Sequence, residues 1–235
     1  MLQLIKLEIR KYKLKKYIKG VFIAILFIMA FLTMSYIDNK VHSPNDLDTY
    51  QSVIWMINVL SFDVFLIFSS TIMGKIIIGE YKDKTILVMF CYPIDRKKIM
   101  LSKLFIVGVF GMSCVLISNT LCILYTVILD SIVDVVAGSF SFSYISSASL
   151  IFLAFAVMTG IMSLLPFTVG MKKKSVPSTV VTAVVIAALA QPIIGSEPQL
   201  IDTLIKLIII TLITLTLSAY TIIKKINTID DVDVA

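Results

Sequence analysis

The sequence predicts an all-α integral membrane protein with six transmembrane helices, an expectation that rests on three observations. Aliphatic, aromatic and Cys residues make up 58% of the 235 residues and charged ones only 15%, with a mean hydropathy of +0.98, far from the balance of a soluble domain. Six runs reach the length of about 20 mostly apolar residues needed to cross a hydrocarbon core of roughly 30 Å, at residues 18–37, 53–78, 104–129, 144–170, 177–195 and 200–223. Nineteen of the 21 Lys and Arg then fall on one side of that arrangement, which the positive-inside rule assigns to the cytosol. Only Lys40 and Lys206 fall on the other side, so the expected topology is N-in and C-in within a single permeation domain, residues 1–235. The net charge of +6 therefore marks topology; no soluble basic face suggests a nucleic-acid partner.

Residues 1–17 precede the first span, and no small-residue cleavage site follows it, so a removable signal peptide is not expected. At 100° per residue, Leu2, Ile5, Ile9 and Tyr12 gather on one side of a helix and Leu4, Leu7 and Leu14 on the other, with lysines between. Two stripes fit an amphipathic helix lying in the interface with a protein neighbour; a generic basic topogenic tail fits the lysines alone. The loop after the first span holds the sole histidine, His42, near Asp46 and Asp48, too few ligands to read as a metal site. Trp55, at the start of the second span, has a position typical of an interfacial indole.

Asp63 lies deep in the second span, where an acid costs about 2.5–3.5 kcal/mol on insertion scales and so should face protein or water. Counting inward from the cytosolic ends puts Asn119, on the third span, at the same depth. The expectation is that Asn119 donates to Asp63, either as a structural clamp or in the lining of a translocation path.

Between the second and third spans stands a charged island, residues 79–103, with the sequence GEYKDKTILVMFCYPIDRKKIMLSK. The run TILVMF is too apolar for an idle loop and too short to span. Lys84 to Phe90 are expected to form a short helix, with Ile86, Leu87 and Phe90 on adjoining faces, and Pro93 ends it. Asp95 stands where an N-cap belongs for the third span. Arg96 to Lys98 oppose that helix's dipole, so an acidic surface or lipid phosphate is expected to offset them.

Gly79-Glu80-Tyr81, Lys84-Thr85, Tyr92 to Lys98 (YPIDRKK) and Ser102-Lys103 together resemble the cytosolic loop of type-2 ABC exporter permeases, where a GEY..GT....YP.SR.....SK pattern recurs. Lys84 replaces the usual Gly, and Asp95 the usual Ser. The resemblance implies that the short helix is a coupling helix seated on a separate ATPase subunit. Glu80, Tyr81, Lys84, Thr85, Ile86, Leu87, Phe90, Tyr92, Pro93, Asp95 and Arg96 would make that contact, with Lys172, Lys173 and Lys174 as a second cytosolic contact. It also implies two ATPase copies, a second permease subunit, identical or homologous, and a bacterial plasma membrane. The sequence has no G-x-x-x-x-G-K-[ST] phosphate loop, so this chain is expected to bind no cofactor and to be no enzyme itself; ATP and Mg belong to the partner. Small size makes the chain look most like the bacitracin and lantibiotic self-protection group, or exporters of amphipathic toxic peptides. The alternatives are a non-transporting receptor or assembly subunit and a secondary transporter, though no inverted repeat is evident.

Cys91, Cys114 and Cys122 form no disulfide pattern. Gly160 and Pro166 in the fourth span, and Gln191-Pro192 at the end of the fifth, predict bends. Thr211, Thr214, Thr216 and Thr221 in the sixth are placed to bond back to their own helix. The acidic tail, Asp230, Asp231 and Asp233, reads as a solvated end.

Overall fold

The computed structural model describes residues 8, 11, 15–42, 49–82, 96–133, 136, 142–173, 175–194 and 200–231, and every long element among them is a helix. The first is α1 (Lys15–His42). α2 (Tyr50–Met73) continues through a π-helical turn (Gly74–Ile78) into a final turn, α3 (Gly79–Lys82). Then come α4 (Arg96–Val133), α5 (Phe142–Met162), the short α6 (Pro166–Lys173), α7 (Val176–Ile194) and α8 (Leu200–Asp231). Among the described residues, five stretches are long and apolar enough to cross a membrane, and α7 supplies a shorter apolar helix, Val176–Gln191. The all-α membrane fold expected from the sequence is thus the fold observed.

α2 is the hub, packing against α4, α5 and α7 and touching α1 and α6. Its composition suits that place: Asn58, Ser61, Phe62, Phe65, Leu66, Ser69 and Ser70 are fully buried. α1 and α8 are peripheral. On α1 Val21, Ile25, Ile28, Leu32 and Tyr36 are buried, a single stripe at helical spacing, while Phe22, Phe27 and Met34 point outward. α8 buries Leu207, Thr214, Ser218 and Ile222 in the same way. Lipid tails are as apolar as leucine, so burial supplies little drive for helices to associate; close packing and interhelical hydrogen bonds hold them together instead. Trp55 is buried against Phe155 in an edge-on contact of 5.6 Å, so its indole packs into the bundle.

Small residues allow close approach where α4 crosses α5. A β-carbon built on Gly160 would lie 2.6 Å from Met112 Cγ and 3.0 Å from the Gly108 carbonyl oxygen. Met112 can swing away, but the backbone oxygen cannot. Gly160→Val is therefore expected to cost about 1–3 kcal/mol by overpacking, read as a lowered unfolding midpoint in detergent; an unchanged midpoint would show that the two helices can separate freely.

The fourth apolar run is divided. After Met162 the amides of Leu164 and Leu165 bond three residues back, to Ile161 and Met162, at 3.1 Å. Pro166 lacks an N–H and its ring clashes with the carbonyl four residues earlier, so the helix tightens and restarts as α6. The threonines of α8 bond back to their own turns as anticipated, Thr211 to Ile208, Thr216 to Ile213 and Thr221 to Leu217.

At the end of the bundle bearing Lys40, the lysine donates to the last carbonyl of α4, Val133. Tyr50 donates to Asp130, which also accepts from the Val136 amide at 2.9 Å. Tyr36 and Thr126 share a hydrogen bond of 3.0 Å. These contacts tie α1 and α2 to α4 at this end of the bundle.

Candidate functional site at the basic end of the bundle

Glu80 and Lys103 stand at the two roots of the charged island, one leaving α2 through α3 and the other entering the membrane on α4. They meet as an ion pair with Lys103 Nζ donating to Glu80 Oε2, and Lys103 is only 1% exposed. From the N-terminal segment, Lys11 Nζ reaches Glu80 Oε1 at 2.5 Å, and Glu8 Oε1 lies 3.9 Å from Lys103 Nζ. Glu8 and Glu80 are both buried. Two carboxylates and two ammonium groups therefore balance at the base of the loop, three of them out of water. Charges so placed are tolerated only when paired. Burial pushes the Glu8 carboxyl above its usual range, opposed by Lys103 and Lys11, and its Oε2 has no hydrogen-bond partner. The cluster joins three segments: the N-terminal stretch, the exit of α2 and the entry of α4.

The adjoining elements are tightly seated. A β-carbon on Gly74 would lie 2.8 Å from Thr179 Oγ1, and one on Gly170 would lie 2.1 Å from both Ile78 Cδ1 and Thr179 Cγ2. Absence of side chains at Gly74 and Gly170 lets α6 and the start of α7 close on the π turn. The exposed Lys172 and Lys173 at the end of α6 thus lie on an element packed against the segment that leads to Glu80. Lys75 points outward with its ammonium 5.8 Å from the Tyr17 ring centre, a cation–π distance.

Of the residues the sequence marks for the ATPase contact, Glu80 is buried in the ion cluster, and the backbones of Tyr81 and Arg96 lie in α3 and at the start of α4. Lys84, Thr85, Ile86, Leu87, Phe90, Tyr92, Pro93 and Asp95 lie outside the described residues, as does Lys174.

Within the membrane, Asn119 and Asp63 do not pair. Asn119 Nδ2 donates to Asn58 Oδ1 at 2.8 Å, and Asn58 Nδ2 donates to the Ile54 carbonyl at 2.8 Å. Ser61 and Ser118 share a bond of 3.1 Å beside them. Asp63 instead accepts from Gln191 Nε2 on α7 at 2.7 Å, and its Oδ1 is buried without a partner. The expectation failed on depth and on direction: the five residues from Asn58 to Asp63 move a side chain about 7.5 Å along the helix and turn it by roughly 140°. Asn58 faces α4 while Asp63 faces α7. Asn58 and Gln191 are the residues sequence reasoning missed here. The signal for Asn58 was its helical spacing with Ser61 and Ser69, a polar stripe on an otherwise apolar span.

The family model described as "ABC-2 family transporter protein" matches residues 4–189. The chain is also 35% identical over 188 residues to a Bacillus subtilis (strain 168) protein named "Uncharacterized protein YcbO", covering 80% of this chain and 82% of that one. No solved structure gives a significant match.

Proposed function

Because the chain belongs to the ABC-2 family of transporter proteins, whose members are membrane-spanning permease subunits, we propose that residues 79–103 dock a separate ATP-binding subunit and that the assembly exports an amphipathic peptide or other hydrophobic cargo. The assembly would hold two ATPase subunits, which bring ATP and Mg, and two permease subunits, identical or homologous. It would sit in a bacterial plasma membrane with both termini in the cytosol, the side that carries nineteen of the 21 Lys and Arg.

The buried ion cluster is the observation that carries this reading. A loop needed only to connect two spans has no use for a desolvated Lys103–Glu80 pair tied to the N-terminal segment. A loop that must transmit force does, because a rigid root passes a displacement of the loop to α2, α4 and the N-terminal segment together. TILVMF supplies the apolar face for the partner. Asp63, half-buried and facing α7, is assigned to the translocation path, and Asn119, locked on Asn58, to the clamp between α2 and α4. Short connections at residues 38–50 and 195–202 leave little room for a folded domain on the far side, which suits cargo drawn from the membrane.

The test is copurification from native membranes. The wild-type chain should bring down an ATPase whose hydrolysis rate changes with added cationic amphipathic peptide. Leu87→Asp, which places a charge in the docking face, should lose the ATPase by about tenfold or more, the effect of a hot-spot loss of about 2 kcal/mol. Retention of the ATPase by that variant would remove the loop from the interface.

A further inference from the structure

α1 and α4 do not close on each other along the half of the bundle nearest the basic end. They leave an open groove of about 450 Å³, walled by Ile18, Phe22 and Ile25 on α1 and by Phe105, Val109 and Ile117 on α4. Its α4 wall runs about 18 Å at 1.5 Å per residue, comparable with an extended acyl chain in one leaflet. Phe22 and Phe105 form exposed lips, 60% and 59% accessible, so the groove opens sideways to the bilayer and not to water.

The charge at its mouth identifies the occupant. Lys19 follows Ile18 on α1, and Lys98 lies seven residues before Phe105, on the same face of α4 to within roughly 20°. Both are exposed. Among the described residues neither has an acidic partner, since Glu8 and Glu80 are committed to Lys103 and Lys11. An apolar channel one chain long that ends under two lysines matches a phospholipid with a negative headgroup, and aminobutyl stems can lie along the apolar wall while the ammonium reaches the phosphate. A second copy of this chain fits poorly: a two-fold contact through this groove presents the same face twice and would bring both pairs of lysines together at one depth. We propose that the α1/α4 groove is a binding site for one anionic phospholipid, its chain between Phe22 and Val109 and its phosphate at Lys19 and Lys98.

The full chain, purified in mild detergent from membranes containing phosphatidylglycerol and phosphatidylethanolamine, is washed and its retained lipid counted by mass spectrometry. About one phosphatidylglycerol per chain is expected. Val109→Trp, which fills the groove from a partly exposed position, should reduce that at least fivefold, whereas Leu212→Trp on the lipid-facing side of α8 should not. Lys19→Gln with Lys98→Gln should keep a lipid but erase the headgroup preference. The proposal is overturned if Val109→Trp retains as much lipid as wild type, if the double lysine variant keeps the preference, or if Val109→Trp splits a dimer while lipid is unchanged, which would give the groove to a second copy. An equal elution volume and unfolding midpoint for Val109→Trp establish that the loss is local.

Discussion

Lys103→Met is expected to lower the stability of the folded chain by about 3–5 kcal/mol, the cost of removing one partner from a buried ion pair and leaving the other charged, and to abolish ATP-driven export. Glu80 would lose its buried cation while Lys11, whose side chain is 47% exposed, stays beside it, and Glu8 would lose its buried cationic neighbour. The control is Lys103→Met with Glu80→Gln, which removes both charges and should recover most of the stability while export stays low, because the rigid root is gone. Glu8→Gln should act in the opposite sense. Its carboxyl is raised by burial, so the folded value lies above the unfolded one. The stability it contributes is then complete below the unfolded value and is lost as pH rises through the folded value. The glutamine variant should lack that loss, and its unfolding midpoint should overtake wild type on the alkaline side. Thermal unfolding in detergent from pH 4 to 8 checks both; a Lys103→Met midpoint equal to wild type would mean the cluster is not desolvated in the membrane.

The second large effect is expected at Asp63. Asp63→Leu with Gln191→Leu removes an acid and its donor together, and replacing both partners by apolar groups is close to neutral for the fold. Export of a cationic peptide should nevertheless fall about 10- to 100-fold, the equivalent of losing a charged hydrogen bond of 1.5–3 kcal/mol. Asp63→Leu alone should also unfold earlier, because Gln191 Nε2 is then buried without an acceptor. Transport measured in vesicles separates the roles: full export with a lowered midpoint would make Asp63 a clamp between α2 and α7 and take it out of the path.

Much of this molecule was legible in its sequence because a bilayer imposes few solutions. Length and apolarity find the all-α membrane architecture, and among the described residues five stretches are long and apolar enough to cross, with α7 a shorter apolar helix. Proline chemistry foretold the interruption before Pro166, and the α8 threonines bond as their spacing required. What sequence reasoning could not read was direction around a helix axis. Asp63 drew attention as the charged residue, so Asn119 was matched to it by depth alone, while the uncharged Asn58 on the correct face went unremarked. The ion cluster was hidden for a related reason. Lys103 and Lys11 counted as topology signals, and Glu80 as a surface residue, because opposite charges far apart in sequence reveal no contact until the helices are placed. Only the flanking of one loop by Glu80 and Lys103 hinted at it.

The π turn at Gly74–Ile78 gives the second membrane helix one more residue than a regular helix would fit into that length. Everything beyond it, Glu80 included, is therefore turned by roughly 100° about the axis relative to an uninterrupted helix. The same turn is a place where the helix can gain or shed a residue's worth of winding at little cost to its backbone bonding. A displacement of the ion-paired root beyond it would reach the rest of that helix through a built-in swivel.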